Sequence, residues 1–206
     1  MARKTKAEAE LTRQQILDAA LLVFHQRGVS RTTLDQIARA AGVTRGAVYW
    51  HFANKTELFF AMREQITLPL IDHMHELLLA EDLADPLDGV EQTVQDFFKS
   101  IMDCPQVRQL FDIVFLRCEY VDEFAEILAE LLKPSLDFLR DVEIAYQRAR
   151  DKGTLAPGLD PNAMALDTWA FVRGTFQHLL SFPDERDWPR RIGSMVQQHM
   201  ALRRKR

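Results

Sequence analysis

An all-α protein in two parts, with about nine helices, is what this sequence predicts. Three observations carry the prediction. Apolar residues recur at three- and four-residue spacing from end to end, alternating strand patterns are almost absent, and helix-capping signals stand at the breaks. With 206 residues, 47% of them hydrophobic, the chain can build one compact body with a small appended module.

The first helix is expected from about Ala9 to Arg27, with Ile16, Ala20, Val23 and Phe24 on one stripe and Gly28 as its stop. Thr33 and Gln36 stand in capping-box spacing at the start of a short second helix, "TLDQIARAAG", and Gly42 suits the left-handed residue of a tight turn. Thr44 caps a third helix over "RGAVYWHF". Asn54, with Glu57 three positions on, caps a long fourth that Pro69 should kink and that ends near Ala80. "EDLADPLDG" reads as a linker.

A fifth helix holds Val90, Val94, Phe97, Phe98 and Ile101 until "CP" breaks it, and a sixth carries Leu110, Phe111, Val114, Phe115 and Cys118. The seventh opens with Asp122, Glu123 and Glu126 and closes with Arg148, Arg150 and Lys152 before Gly153, so both ends complement the helix dipole. After the linker "GTLAPGLDP", Pro161 begins an eighth helix that runs to about Phe182. It is apolar nearly all round, through Met164, Leu166, Trp169, Phe171, Val172, Phe176, Leu179 and Leu180. Such a helix must be covered on every side, and a partner subunit is one cover. The ninth helix has the stripe Ile192, Met195, Val196 and Met200, and the closing "RRKR" reads as a solvated tail.

Charge is unevenly spread. Residues 1–57 hold nine Lys or Arg against five acids, net +4, which leaves −8 on the remainder of a chain whose total is −4. A basic head on an acidic body suggests that only the head meets a polyanion.

Several classes are excluded on the same grounds. No apolar run reaches the roughly 18 residues of a membrane span, and no secretory leader opens the chain, so a soluble, cytoplasmic protein without a membrane partner is expected. Cys104 and Cys118 lack the spacing of a zinc site or a disulfide framework and read as small buried hydrophobes. Asp72, His75 and Glu76 share a helical face but have no matching second helix, so no metal is expected there, and His178 reads as a satisfied core histidine. No G-x-S-x-G elbow, P-loop, Rossmann glycine pattern or H-E-x-x-H occurs, so neither an enzyme nor a cofactor is expected.

Residues 33–52 read as helix, glycine turn, helix. Ala38 is the small residue at the crossing, and Leu34, Ile37, Val43 and Val48 lock the pair. The second helix of such a pair enters the major groove of double-stranded DNA with its first residues on base edges. Here those are Thr44, Arg45, Gly46 and Ala47, followed by Tyr49. Arg45 can pair with O6 and N7 of one guanine, a contact worth roughly ten- to a hundredfold in discrimination. Gly46 and Ala47 allow close approach, while Tyr49, His51 and Lys55 reach phosphates, and Thr33 joins the DNA-contacting set at the preceding helix. Trp50 and Phe52 are expected to pack inward.

At these residues the sequence resembles the TetR family of bacterial transcriptional repressors. "TLDQIARAAGVTRGAVYWHFANKTEL" matches its DNA-binding signature almost throughout, and "MARKTKAEAELTRQQILDAALLVFHQRGVSRTTL" is similar to its AcrR-like branch, the repressors beside multidrug efflux pumps. The resemblance implies residues 1–55 as the DNA-binding domain and 56–206 as a domain for ligand binding and dimerisation. It further implies a homodimer through the last two helices, a palindromic operator, and release by a small hydrophobic, aromatic or amphipathic, antibiotic-like inducer. A regulator of a catabolic or other non-efflux operon is the alternative. Arg3, Lys4 and Lys6 match the basic arm that often precedes the first helix.

The resemblance also places Phe97, Phe111, Phe115, Cys118, Trp169, Arg173 and Phe176 near an inducer cavity. Two readings of Arg173 stay open: it faces the cavity and favours an anionic or phenolic oxygen, or it pairs internally with Asp112 or Glu119.

Overall fold

The computed structural model describes residues 5–119, 128–182 and 187–205. Among them the chain is helical, with a single isolated bridge between Leu155 and Arg204 as its one extended contact. The helices are α1 (Lys6–Arg27), α2 (Leu34–Ala40), α3 (Arg45–His51), α4 (Lys55–Leu79), α5 (Pro86–Asp103), α6 (Pro105–Asp112), α7 (Leu128–Asp151), α8 (Pro161–Ser181) and α9 (Trp188–Ala201). They gather into two compact units. The first comprises Met1–Leu68 with Pro105–Leu128, and the second Pro69–Cys104 with Ala129–Arg206.

The division runs through α4 at Pro69, whereas the expectation from sequence cut the chain at residue 55. Two physical facts separate these lines. The start of α4 buries Leu58, Phe59 and Met62, and Phe59 meets Phe24 of α1 edge to face at 6.0 Å, so it belongs to the core of the head. The sixth helix packs on α1 in the same unit.

Caps set most helix starts. Thr5 and Glu8 form a capping box that starts α1 a turn before the expected Ala9, because Thr5 Oγ1 accepts from the Glu8 amide and Glu8 accepts from the Thr5 amide. Asp85 and Asp160 cap α5 and α8, each followed by a proline at the first helical position. The expected start of the seventh helix, at Asp122, Glu123 and Glu126, lies outside the described residues.

Two expectations need correction, and a third observation leaves the covering of α8 open to a partner. The sixth helix does not run uniformly to Cys118: it ends at Asp112 and continues as a π-helical turn over Ile113–Arg117, a rare form in which hydrogen bonds skip one residue further than in an α-helix. Met195 is exposed, since α9 buries the i, i+4 row Trp188, Ile192, Val196 and Met200, and residue 195 lies a step of about 100° off that row. In α8, Val172, Phe176, Leu179 and Leu180 are buried while Leu166 is 54% exposed, so this helix has an uncovered apolar flank within one chain.

The closing basic residues are fastened down. Arg203 is only 5% exposed, and its guanidinium donates to the His199 carbonyl and the Asp167 carboxylate. Arg204 reaches Asp85, Asp88 at 2.8 Å and Glu91 at 2.8 Å, all around the start of α5; burial works to lower its pKa, and these acids together outweigh burial and raise it. The Lys205 amide donates to the Thr154 carbonyl at 2.9 Å. No helix of the described residues is long and apolar enough to cross a membrane.

Candidate nucleic-acid interface

The head is built around α1. Ile16, Ala20 and Phe24 are fully buried and receive Ile37, Ala38 and Val48 from the two short helices. Thr33 and Gln36 close a capping box on α2, and Gly42, at φ 67°, makes the turn that a side chain would strain. The Thr44 hydroxyl oxygen then accepts from the Ala47 amide at 3.2 Å and starts α3. Val48, the one buried residue of α3, and the buried Leu34, Ile37 and Ala38 of α2 thereby fix the angle at which α3 presents its other face.

That other face is open. Thr44, Arg45, Gly46, Tyr49 and Trp50 are exposed, as is Thr33 at the head of α2, while Ala47, His51 and Lys55 are half-buried. The Arg45 guanidinium lies 5.2 Å from the Tyr49 ring centroid and donates from Nη2 to Tyr49 Oη at 3.3 Å. Its Nε stands 3.1 Å from Asp35 Oδ1, and Nη1 donates to Oδ2 at 3.5 Å. The hydrogen bond to Tyr49, then the Asp35 charge, raise the Arg45 pKa. Lys55 Nζ donates to the Ser30 carbonyl at 3.4 Å, and Asn54 caps α4 by accepting from the Glu57 amide at 2.8 Å.

Trp50 is a correction: the sequence reading turned it inward, and it is 73% exposed. Val48 is the buried residue of α3, and position 50 lies about 200° round the helix from it. Phe52 does pack inward, at 2% exposure, because it has left the helix in an extended conformation and turns back under Arg13, whose Cζ lies 5.6 Å from the ring centroid. Trp50 instead meets His51 edge to face at 4.5 Å. Asp35 was missed altogether, although an acid inside a basic head was visible in the sequence.

The residues proposed for inducer recognition fall in both units. In the second, Phe97 and Phe176 stand 5.7 Å apart, and exposed Arg173 lies over the Trp169 ring at 5.4 Å, with Trp169 Nε1 donating to Ser135 Oγ at 3.0 Å. In the first, Phe111 and Phe115 are 6.2 Å apart, and half-buried Cys118 borders an open cleft of about 570 Å³ with Arg27, Arg31 and Arg117. Asp112, one of the two acids weighed for Arg173, stands 3.2 Å from His25 of α1.

Elsewhere in the second unit, Tyr146 Oη lies 2.8 Å from Thr168 Oγ1, which lies 3.1 Å from His199 Nε2, and Phe171 stacks on the His199 ring at 4.2 Å. Burial, then the neighbouring Arg203, lowers the His199 pKa to about 4. His75 Nδ1 is 2.8 Å from Asp141, and no group of metal-ligating side chains occurs among the described residues. His178 is exposed, against rings of Phe182 and Trp188, so it is not the core histidine expected.

Three helices on one small core, with the capped third presenting an arginine, a glycine and a tyrosine to solvent, define a helix-turn-helix DNA-binding protein. Comparison narrows the class. Residues 16–62 match the family described as "Bacterial regulatory proteins, tetR family", and residues 85–203 match "MAATS-type transcriptional repressor, C-terminal region". The HTH-type transcriptional regulator TtgR of Pseudomonas putida is 37% identical over 187 residues, 91% of this chain and 89% of that protein. The fold matches NalD, the secondary repressor of the MexAB-OprM multidrug efflux pump in Pseudomonas aeruginosa, at TM-score 0.84 and 33% identity over 97% of this chain and 98% of that one. It also matches SmeT, the repressor of the Stenotrophomonas maltophilia pump SmeDEF, in its complex with triclosan, at TM-score 0.82 and 32% identity over 95% and 92% of the two chains. The chain belongs to the TetR family of bacterial transcriptional regulators. It is a DNA-binding repressor and not an enzyme.

Proposed function

We propose that this chain represses a multidrug efflux operon in the cytoplasm, binding a palindromic operator as a homodimer and leaving it when a small aromatic or amphipathic compound binds. The observation that supports it most is the open face of α3, held at a fixed angle by the core of the head, in a protein similar throughout to repressors of efflux pumps. In this reading Arg45 reads a guanine edge beside Thr44, Gly46 and Ala47 let the helix approach the groove, and Tyr49, His51, Lys55 and Thr33 meet the backbone.

Two recognition helices need centres about 34 Å apart, or a multiple, to enter major grooves on one side of the duplex. The last two helices of each chain supply the dimer contact, a role supported by the exposed apolar Leu166 and Met195. The inducer is proposed to contact Phe97, Trp169, Arg173 and Phe176, and the same role is proposed for Phe111, Phe115 and Cys118. That SmeT takes triclosan makes phenolic compounds the first to try here. An inducer acts only by binding more tightly to an arrangement that fits the operator poorly, and Pro69 within α4 is the proposed pivot.

Fluorescence anisotropy with DNA from upstream of the chain's own gene tests this, beside a scrambled duplex and a pool of random duplexes. Selective binding by a dimer, released by an antimicrobial or phenolic compound, is expected. Binding that no compound in a broad panel relieves, or a monomer on the operator, would remove the inducer or the dimer from the proposal. An operator found only beside genes unrelated to transport would replace efflux by another regulon.

A further inference from the structure

Asp35 is out of place on this face. The residues proposed to meet DNA, Arg45 and Tyr49 among them, are basic or neutral, and a carboxylate touching Arg45 is repelled by phosphates. Capping does not require it, because Thr33 and Gln36 already satisfy each other at the start of α2. As the acid in the first turn of α2 it complements the helix dipole, but any acid in that turn would do so, and its pair with Arg45, exposed on both sides at 45% and 65% for the two side chains, adds little stability.

Its geometry supplies a different role. The carboxylate meets Nε at 3.1 Å and Nη1 at 3.5 Å, while Tyr49 takes Nη2 at 3.3 Å. Held from α2 and from α3, a long side chain with several rotatable bonds is confined before DNA arrives. A guanidinium has five N–H groups, so Nη1 and Nη2 each keep one beyond these contacts. That is what O6 and N7 of one guanine require. An unrestrained arginine on this face would instead be free to swing to the nearest phosphate, which every sequence offers equally.

We propose that Asp35 is a positioning residue that sets base discrimination: it holds Arg45 for a base edge and raises the cost of binding any duplex that lacks the matching base. This rests on the reading that Arg45 contacts the operator, and the test separates the two. The operator is first defined by selecting from a random duplex pool with the wild-type full-length protein. Anisotropy then gives affinities for that operator and a scrambled duplex for wild type, Asp35→Ala, Asp35→Asn, Arg45→Ala and the Arg45→Ala/Asp35→Ala double variant, each checked by circular dichroism for an unchanged melting temperature.

Asp35→Ala is expected to tighten binding to the scramble several-fold and to cut the operator-to-scramble ratio about tenfold, with a steeper salt dependence because one negative charge has left the interface. Asp35→Asn, of the same shape, should fall in the same direction. Re-selection with Asp35→Ala should lose preference at the base pair whose preference Arg45→Ala also loses. In the Arg45→Ala background the ratio should not change further. An unchanged ratio in Asp35→Ala beside a reduced one in Arg45→Ala overturns the positioning role and leaves the arginine contact standing. A ratio that falls equally in the Arg45→Ala background overturns it too, since Asp35 then acts without the arginine. If Arg45→Ala binds operator as wild type does, the contact itself is wrong and the role of Asp35 falls with it.

Discussion

Gly46→Ala separates stability from DNA binding in a single methyl group. Gly46 is the second residue of α3, and a Cβ built there meets nothing closer than Thr44 Oγ1 at 3.9 Å. In the free protein the change therefore removes only the entropic disadvantage of glycine in a helix, a gain of about 0.5–1 kcal/mol. For a chain of this size that raises the melting temperature by about 1–4 °C. On the operator, the same methyl points from an exposed position of the recognition helix into space the DNA should fill. Overfilling a packed contact costs about 1–3 kcal/mol, roughly 5- to 150-fold in affinity for each head. Gly89→Ala is the contrast, because its Cβ would lie 2.7 Å from the Leu77 carbonyl oxygen and 2.9 Å from Leu83 Cδ1 where α4 and α5 approach. After the gain in helix propensity it should lose about 1–2 kcal/mol, or about 2–8 °C. Differential scanning fluorimetry and operator titration read both quantities. A Gly46→Ala protein that melts higher and binds operator within twofold of wild type refutes the placement of Gly46 against DNA.

Trp50→Ala should change stability by less than about 0.5 kcal/mol, whereas Phe52→Ala should cost about 3–5 kcal/mol; urea denaturation gives both, and a large loss at Trp50 would mean that it is buried after all. Arg204→Met should cost about 1–2 kcal/mol by leaving Asp85, Asp88 and Glu91 without their shared cation. The deficit should shrink in high salt, and equal urea midpoints at low and high salt would count against mutual repulsion of the acids. The third concerns pH. His199 has a folded pKa of about 4, below its unfolded value near 6.5, so the unfolded chain binds more protons between them. Its contribution is full above about pH 6.5 and is lost as pH falls toward 4. Discounted for partial exposure it is about 1–2 kcal/mol, and His199→Gln should flatten that part of the stability profile relative to wild type.

The head was the most legible part of the sequence because its signals are local. Thr33 with Gln36, Gly42 and Thr44 each fix a backbone conformation through groups three residues apart or fewer, and the structure uses each as read. Side-chain direction was less legible where it depended on one residue of phase. Trp50 and Phe52 are both aromatic and two positions apart, and the helix end between them sends one outward and the other inward. Asp35 was unread because its partner lies ten residues away across the turn, beyond any i, i+4 rule. The residues assigned to inducer recognition were hardest to read, since core packing and ligand contact demand the same apolar side chains.

Two stretches read separately explain each other. The acids of "EDLADPLDG" and the opening of the next helix resembled a solvated linker, and "RRKR" resembled a solvated tail. Arg204 brings them together at Asp85, Asp88 and Glu91, more than a hundred residues earlier in the chain. The Arg203 backbone carbonyl and the Lys205 amide bond Ala156 and Thr154, so the tail is fixed by main chain as well as by charge. Because α9 also packs along α5, the end of the chain is tied to the helix on which it rests. The charge asymmetry between head and body follows the same division: part of the basic charge outside the head neutralises acids of the second unit. The cationic groups at exposed positions around α2 and α3 are therefore of a different kind from those at the C-terminus, although composition alone counts them together.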